Sequence, residues 1–412
     1  MLHKPNILVV AGEMVYPLRA SIRDMIYCFK YNPDCNAFFY FTEQGPFPAY
    51  LKKVDFDLVV FTDTFAGERW KGKTQVEKYV YRPLEYLKNV NAVKVIHPQD
   101  EWIYTDLLNE MILHFNITHV FSCAPESEWE KIYNRLDHSK IKFSQVLTGY
   151  LEDHTLKKIE KIEQENQKKI DVGYRAFKAP PWLGQHGHLK AQIAEVFKKE
   201  APSKGFSTDI STEEKDTISG DNWFHFLASC KYFIGVEGGS TIIDRDGEIW
   251  KKGNEFAKSR PNASFEEFEK ICFPGMDGNL NLVAISPRHL EACATKTCQV
   301  LIEGNYNGIL KPGIHYIEVK NDFSNLDEVF AKMKDEELRK KIVERAYDDV
   351  VKSGKHSYRG YTDHIINSSL NSINVKPKLN AINRLHMLRN RLSERRFWNS
   401  KKSERKHALA AS

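Results

Sequence analysis

The strongest constraint on this chain is a repeated alternation. Short apolar runs at residues 7–10, 37–41, 58–61, 93–96 and 119–121 are separated by longer segments with helical spacing. Residues 19–31 read as an amphipathic helix, and Trp102 to Phe115 carries Ile103, Leu107, Leu108, Met111 and Ile112 at helical intervals. Continuous rather than alternating apolar runs predict strands buried on both faces, and helices between them predict βαβ units and a parallel sheet.

The pattern restarts after a Lys/Glu/Gln-rich stretch at 151–169, which reads as an exposed helix or a linker. Strands are expected at 170–173, 206–210, 232–236 and 299–302, with helices at 189–199, 223–228 and 289–294. A helical region over 326–351 is expected to break near Asp335. The expectation is an α/β fold of two Rossmann-like doubly wound domains facing a cleft, residues 1–150 and 170–365, with a basic helical tail at 366–412. A length of 412 residues agrees with two such domains. No repeat of solenoid period is visible.

Charge separates the tail from the rest. From Lys376 onward there are 11 Lys/Arg against 2 Asp/Glu, whereas residues 1–375 hold 49 against 53. A basic tail on a mildly acidic body points to a local contact with phosphates, of lipid or of nucleic acid, rather than a basic binding face on the whole protein, and the body's lack of a basic surface or a nucleic-acid motif favours lipid. Leu379, Ile382, Leu385, Leu388 and Leu392, with arginines between them and Phe397-Trp398 beyond, fit an interfacial helix on anionic lipid. The same stripe also fits a helix that closes onto the body.

Seven cysteines, none in a C-x-x-C pair, exclude a disulfide scaffold and a zinc ribbon. No run approaches the ~18 apolar residues of a membrane span, and the first apolar run is too short for a signal peptide. The expected location is the reducing cytoplasm, peripheral at most on the inner face of the membrane.

Ligands of open α/β sheets bind beyond the carboxyl ends of the strands, so chemistry is sought in those loops. No P-loop and no G-x-G-x-x-G is present, which removes support for nucleotide hydrolases and ordinary dinucleotide dehydrogenases. Arg175 ends a strand, and Lys190 lies in the next helix, after Pro180-Pro181-Trp182-Leu183-Gly184. Together with the helix amides they could hold a diphosphate, or they could be a solvated basic pair. Ser286-Pro287 reads as a helix start, placing Arg288 in the first turn and Glu291 one turn on. An arginine beside phosphate and a glutamate accepting from ribose hydroxyls fit a nucleotide; an internal ion pair fits equally. Asp100 and Glu101 follow a strand and are candidates for a general base, or for a helix cap with a first-turn acid. Asp63 is a rival base. His186, Glu237 and Ser240 are assigned to the cleft, Asp244 and Asp246 carry less weight, and His315 reads as a satisfied histidine. No metal-ligand spacing is present.

Several motifs in this order resemble one family. Asp171-Val172-Gly173-Tyr174-Arg175, Pro181-Trp182-Leu183-Gly184, Gly235-Val236-Glu237-Gly238-Gly239-Ser240, Ser286-Pro287-Arg288 with Glu291-Ala292, and Glu303-Gly304-Asn305-Tyr306 are similar to the GT-B glycosyltransferases of the group-1 type. The likeness is to the subgroup with spore-maturation CgeB-like and bacterial surface-polysaccharide proteins. Gln99-Asp100-Glu101, His315-Tyr316 and Asp322-Phe323-Ser324-Asn325 look similar too, so the resemblance covers roughly residues 5–365.

The resemblance implies a nucleotide-sugar donor as substrate on the second domain, a glycan or lipid-linked acceptor on the first, and no metal or other cofactor. It places Glu291 on the donor ribose and Arg175, Lys190 and Arg288 on the diphosphate, with Gly304, Asn305 and Tyr306 in the donor loop. Retaining members of the wider group carry two glutamates separated by seven residues. Here the partner position is Val283, so retention of configuration is not implied. A nucleotide-sugar epimerase and a non-catalytic binding protein of the same architecture are the alternatives.

Overall fold

A computed structural model of the chain describes residues 4–371 and 381–411. They form two units. The first is drawn from Met1–Cys123, Trp129–Val146 and Tyr361–Ser412, the second from Ala124–Glu128 and Leu147–Gly360.

The first unit holds six parallel strands: β1 (Asn6–Ala11), β2 (Asn36–Phe41), β3 (Leu58–Phe61), β4 (Val93–Ile96), β5 (His119–Ser122) and β6 (Lys142–Gln145). Their order is β2-β1-β3-β4-β5-β6. Ile7 lies opposite both Ala37 and Leu58, which aligns the apolar runs that the sequence displays. Ile7, Leu8, Val9 and Val10 are all buried, each worth roughly 1.5–3 kcal/mol of transfer free energy. β6 is an edge strand with half-exposed residues and no apolar run, and no strand is expected there from sequence.

The second unit holds β7 (Ile170–Arg175), β8 (Thr208–Ser211), β9 (Cys230–Gly235), β10 (Gly238–Ser240), β11 (Leu282–Ala284), β12 (Cys298–Ile302) and β13 (Tyr316–Val319). Five make a parallel sheet in the order β13-β12-β9-β7-β8, while β10 and β11 form a separate antiparallel pair. The stretch read as helix or linker contains the helix Asp153–Glu165, its Ile159 and Ile162 buried. The break expected near Asp335 is present: Asp335 caps the helix Glu336–Ala346 by accepting from the Leu338 amide at 2.9 Å.

In each sheet the chain leaves the first strand to one side and later returns on the other. The switch point lies between β1 and β3 in the first unit and between β7 and β9 in the second. The loops that follow these strands begin at Gly12, Thr62, Ala176 and Val236.

The tail forms the helix Ala381–Ala411, which packs on β2 of the first unit. Asn390 answers the free edge of that strand. Its Oδ1 accepts from the Phe39 amide at 2.8 Å, and its Nδ2 donates to the Phe39 carbonyl at 2.7 Å. Leu379 lies outside the described residues, as does the side chain of Ile382.

Candidate functional site

In the second unit the residues expected to hold a donor gather at the carboxyl ends of β7, β9 and β12. Pro287 opens the helix Pro287–Ala294, so Arg288 and Glu291 share one face of it. Glu291 is buried and accepts from the Trp223 indole Nε1 at 2.7 Å. The Arg288 guanidinium lies 5.9 Å from the centre of the same indole ring. Lys190, on the helix Gly184–Ser203, donates to the Gly239 carbonyl at 3.3 Å. Burial lowers the His289 imidazole to about 4 against the hydrogen bonds to Gln299 and Val236, and the Arg288 and Lys190 charges push it the same way as burial. His289 is itself fixed through its ring nitrogens to Gln299 at 3.0 Å and the Val236 carbonyl at 3.2 Å.

Other predicted residues turn out to support these. Arg175 donates to the Asp209 carboxylate at 2.6 Å and the Asp209 carbonyl at 2.9 Å, and its guanidinium stacks 4.7 Å from the Phe226 ring. It ties β7 to β8 and does not stand as one of a solvated basic pair. Glu237 is buried and accepts from the Asn305 amide at 3.1 Å and the Tyr306 amide at 2.6 Å. A Cβ at Gly304 would stand 2.3 Å from Glu237 Oε2, so a side chain there would displace the carboxylate that holds the loop. The Gly304-Asn305-Tyr306 loop is thus held by a carboxylate, with Tyr306 and Asn307 at positive φ.

His186 donates through Nε2 to the Glu237 carbonyl at 3.0 Å, and burial lowers it to about 4. Ser240 bonds to the Leu183 and Ile242 carbonyls at 3.2 and 2.9 Å. Asp244 accepts amides at the start of the helix Glu248–Ser259, Asp246 accepts the Glu248 amide at 3.1 Å, and His315 pairs with Asp349 at 3.1 Å. The Gln185 amide, at the helix end expected to bind diphosphate, donates to Asp277 at 3.1 Å. Val283 sits in β11 opposite Gly239, whose φ of +126° and close approach to the Leu282 carbonyl exclude any side chain.

In the first unit Asp100 and Glu101 have different roles. Glu101 is fully buried and accepts from the Cys123 amide at 2.8 Å and from the Ser122 and Tyr133 hydroxyls. Burial raises its pKa against those hydrogen bonds. Its lone pairs are taken up inside the unit, so it anchors β5 to the loop and cannot reach an acceptor. Asp100 is exposed, at positive φ. Beneath it Arg69, fully buried, donates to the carbonyls of Ala66, Gln99, Asp100 and Ile103 at 2.6, 3.0, 2.7 and 3.1 Å.

Asp63 follows β3 at the switch point, and its Oδ1 has no hydrogen-bond partner among the described residues. Desolvation raises its carboxyl from 3.8 to about 6, with the Asp100 charge adding to the rise. Among the described residues no three His, Cys, Asp or Glu gather to hold a metal ion.

Trp223, Arg69 and Asp277 were not legible as site residues. Trp223 lies 68 residues from the Glu291 it orients, so no local spacing connects them. Arg69 acts on backbone carbonyls, and Asp277 on the Gln185 amide and the Thr241 hydroxyl, partners distant in sequence that no local spacing reveals.

No family model and no curated protein sequence matches the chain. Solved structures do. Sucrose-phosphate synthase from Thermosynechococcus elongatus is 8% identical and superposes with a TM-score of 0.50, covering 90% of this chain and 100% of its own. HepE of Anabaena in complex with UDP-glucose is 11% identical, TM-score 0.47, covering 90% and 100%. An alpha-glucosyltransferase in complex with UDP-glucose and DNA containing an abasic site is 10% identical, TM-score 0.47, covering 88% and 99%. Identities this low bear on architecture alone. The two parallel-sheet α/β domains match the GT-B fold, the architecture on which that sucrose-phosphate synthase superposes.

Proposed function

We propose that the chain is a glycosyltransferase that moves a sugar from a nucleotide-sugar donor to a glycan or glycoconjugate acceptor in cell-surface polysaccharide synthesis, within the CgeB-like group. One observation carries this reading: Lys190 and Arg288 stand with the buried, indole-oriented Glu291 at the switch-point end of the second sheet. Two cations there can neutralise the charge that grows on a departing diphosphate, and a fixed carboxylate can accept from ribose hydroxyls. Cationic side chains in that role make a bound metal unnecessary. On the first unit Asp63 is the group suited to accept a proton from an acceptor hydroxyl, because a carboxyl near 6 is a better base than an ordinary one. Asp100 beside it raises that basicity. We place the enzyme in the cytoplasm, on the inner face of the membrane. No helix among the described residues is long and apolar enough to cross a membrane.

The test is thermal protection by UDP, GDP, ADP and CDP, followed by a donor-hydrolysis screen with the matching nucleotide sugars. One nucleoside diphosphate should raise the melting temperature, and Glu291→Ala should abolish that rise. No shift with any of the four would overturn the reading. Conversion of the donor sugar without acceptor would identify an epimerase, and binding with neither transfer nor hydrolysis a non-catalytic protein.

A further inference from the structure

The tail helix is mounted the opposite way from an ordinary amphipathic helix. Its row facing the first unit is polar: Asn383, His386, Asn390 and Glu394 are buried. Asn390 grips β2, Glu394 pairs with Lys30 at 3.0 Å, and Lys401 pairs with Glu43. Phe397 stacks on Phe41 with ring centroids 4.7 Å apart, and Trp398 donates to the Tyr27 hydroxyl at 2.6 Å. The two aromatic residues expected at a lipid surface are therefore spent on the body. The leucines are not: Leu385, Leu388 and Leu392 are 51%, 57% and 56% exposed.

At 3.6 residues per turn these three fall in one stripe about 60° wide. Arg389 and Arg396 run along one flank, Arg384, Arg391 and Arg395 along the other, all exposed, and Lys402 and Lys406 continue the basic surface toward the C-terminus. An apolar row between two rows of arginine matches one environment, acyl chains beneath anionic headgroups. A second copy of the same face would oppose arginine to arginine, and nucleic acid would leave the leucines in water.

We propose that this face is an in-plane docking surface for an anionic bilayer. The leucines enter the headgroup–acyl boundary, the arginines meet the phosphates, and the polar row on the other side holds the first unit to the membrane as a rigid attachment rather than on a tether. The proposal does not depend on the transferase reading, since it uses none of the donor or acceptor residues.

The test is co-sedimentation of the full chain with phosphatidylglycerol-rich vesicles and with phosphatidylcholine vesicles. Binding should require the anionic lipid and weaken with added salt. Arg389→Gln and Arg396→Gln should each lower partitioning about fivefold. The double variant Leu388→Gln, Leu392→Gln should lower it at least ~10-fold. Because these leucines are already largely exposed, both sets should keep the wild-type melting temperature. Three outcomes would overturn the proposal: no binding to phosphatidylglycerol, equal binding to both vesicles, or self-association in solution that the leucine variant abolishes. The last would make the face a contact between copies of this chain.

Discussion

The two sheets end in the same topological feature and furnish it with opposite charge. At the switch point of the first unit stands Asp63, with the Asp100 charge from the loop after β4 acting on it and the buried cation Arg69 turned onto backbone carbonyls. At that of the second stand Lys190 and Arg288, where the buried acids are turned inward: Glu237 onto two amides and Glu291 onto an indole. In the first unit the buried cation is used to build the loop, and in the second Glu237 is used the same way, whereas Glu291 is fixed by Trp223 on the helix face that it shares with Arg288. One architecture thus carries acidic side chains at the strand ends of one sheet and cationic side chains at those of the other. What distinguishes them is a handful of loop residues, not the sheet.

That division of labour can be broken at its supports. The largest effect is expected for Arg69→Met. Four carbonyls lose their donor in a buried loop, a loss of about 3–5 kcal/mol measurable by urea unfolding. If the two ends are separately built, nucleotide protection of the second unit should survive at temperatures where the variant is still folded. Loss of protection in folded protein would show that Arg69 serves both. Next is Glu237→Gln, which keeps the shape of the side chain but replaces one of the two accepting oxygens by a donor. With the Asn305 and Tyr306 amides competing for a single acceptor, a loss of about 1–3 kcal/mol is expected, together with weaker nucleotide binding. Unchanged binding would separate the Gly304-Asn305-Tyr306 loop from the donor.

Much of the fold was legible because buried parallel strands announce themselves as unbroken apolar runs, as at β1 and β3. β6 and β13 lie at sheet edges, and β10 is Gly238-Gly239-Ser240, with no side-chain pattern to read. For the site, the spacing of Arg288 and Glu291 could be read because both lie on one helix. Glu101 and Arg175 could not be resolved between function and support, since their partners, Ser122, Tyr133 and Asp209, come from other segments of the chain. The tail shows the same limit. Its leucine stripe was visible, but which face would meet the body depended on Asn390 finding the Phe39 edge, and that is a tertiary fact.

The smallest effect, and the one that compares the two ends most directly, is a difference in pH response. Asp63 has its folded pKa raised from 3.8 to about 6, so the fold binds this proton more tightly than the unfolded chain does. The stability it contributes is present below pH 4 and is lost as pH rises through 6. Asp63→Asn should therefore be more stable than wild type by about 1–2 kcal/mol at pH 7.5, allowing for partial exposure, with the gap closing between pH 6 and 4. In the second unit His289 is displaced the other way, from 6.5 to about 4, so its contribution is lost as pH falls through that interval. His289→Gln should be less stable than wild type at pH 7.5 because two hydrogen bonds are disturbed, yet the difference should shrink on acidification. Each variant is compared with wild type at the same pH, which cancels the other buried groups, His97 and Glu101 among them. A flat difference for Asp63→Asn would mean that its carboxyl titrates normally, and the first unit would lose its best candidate for a base. A flat difference for His289→Gln would mean that burial does not hold that imidazole below its ordinary value.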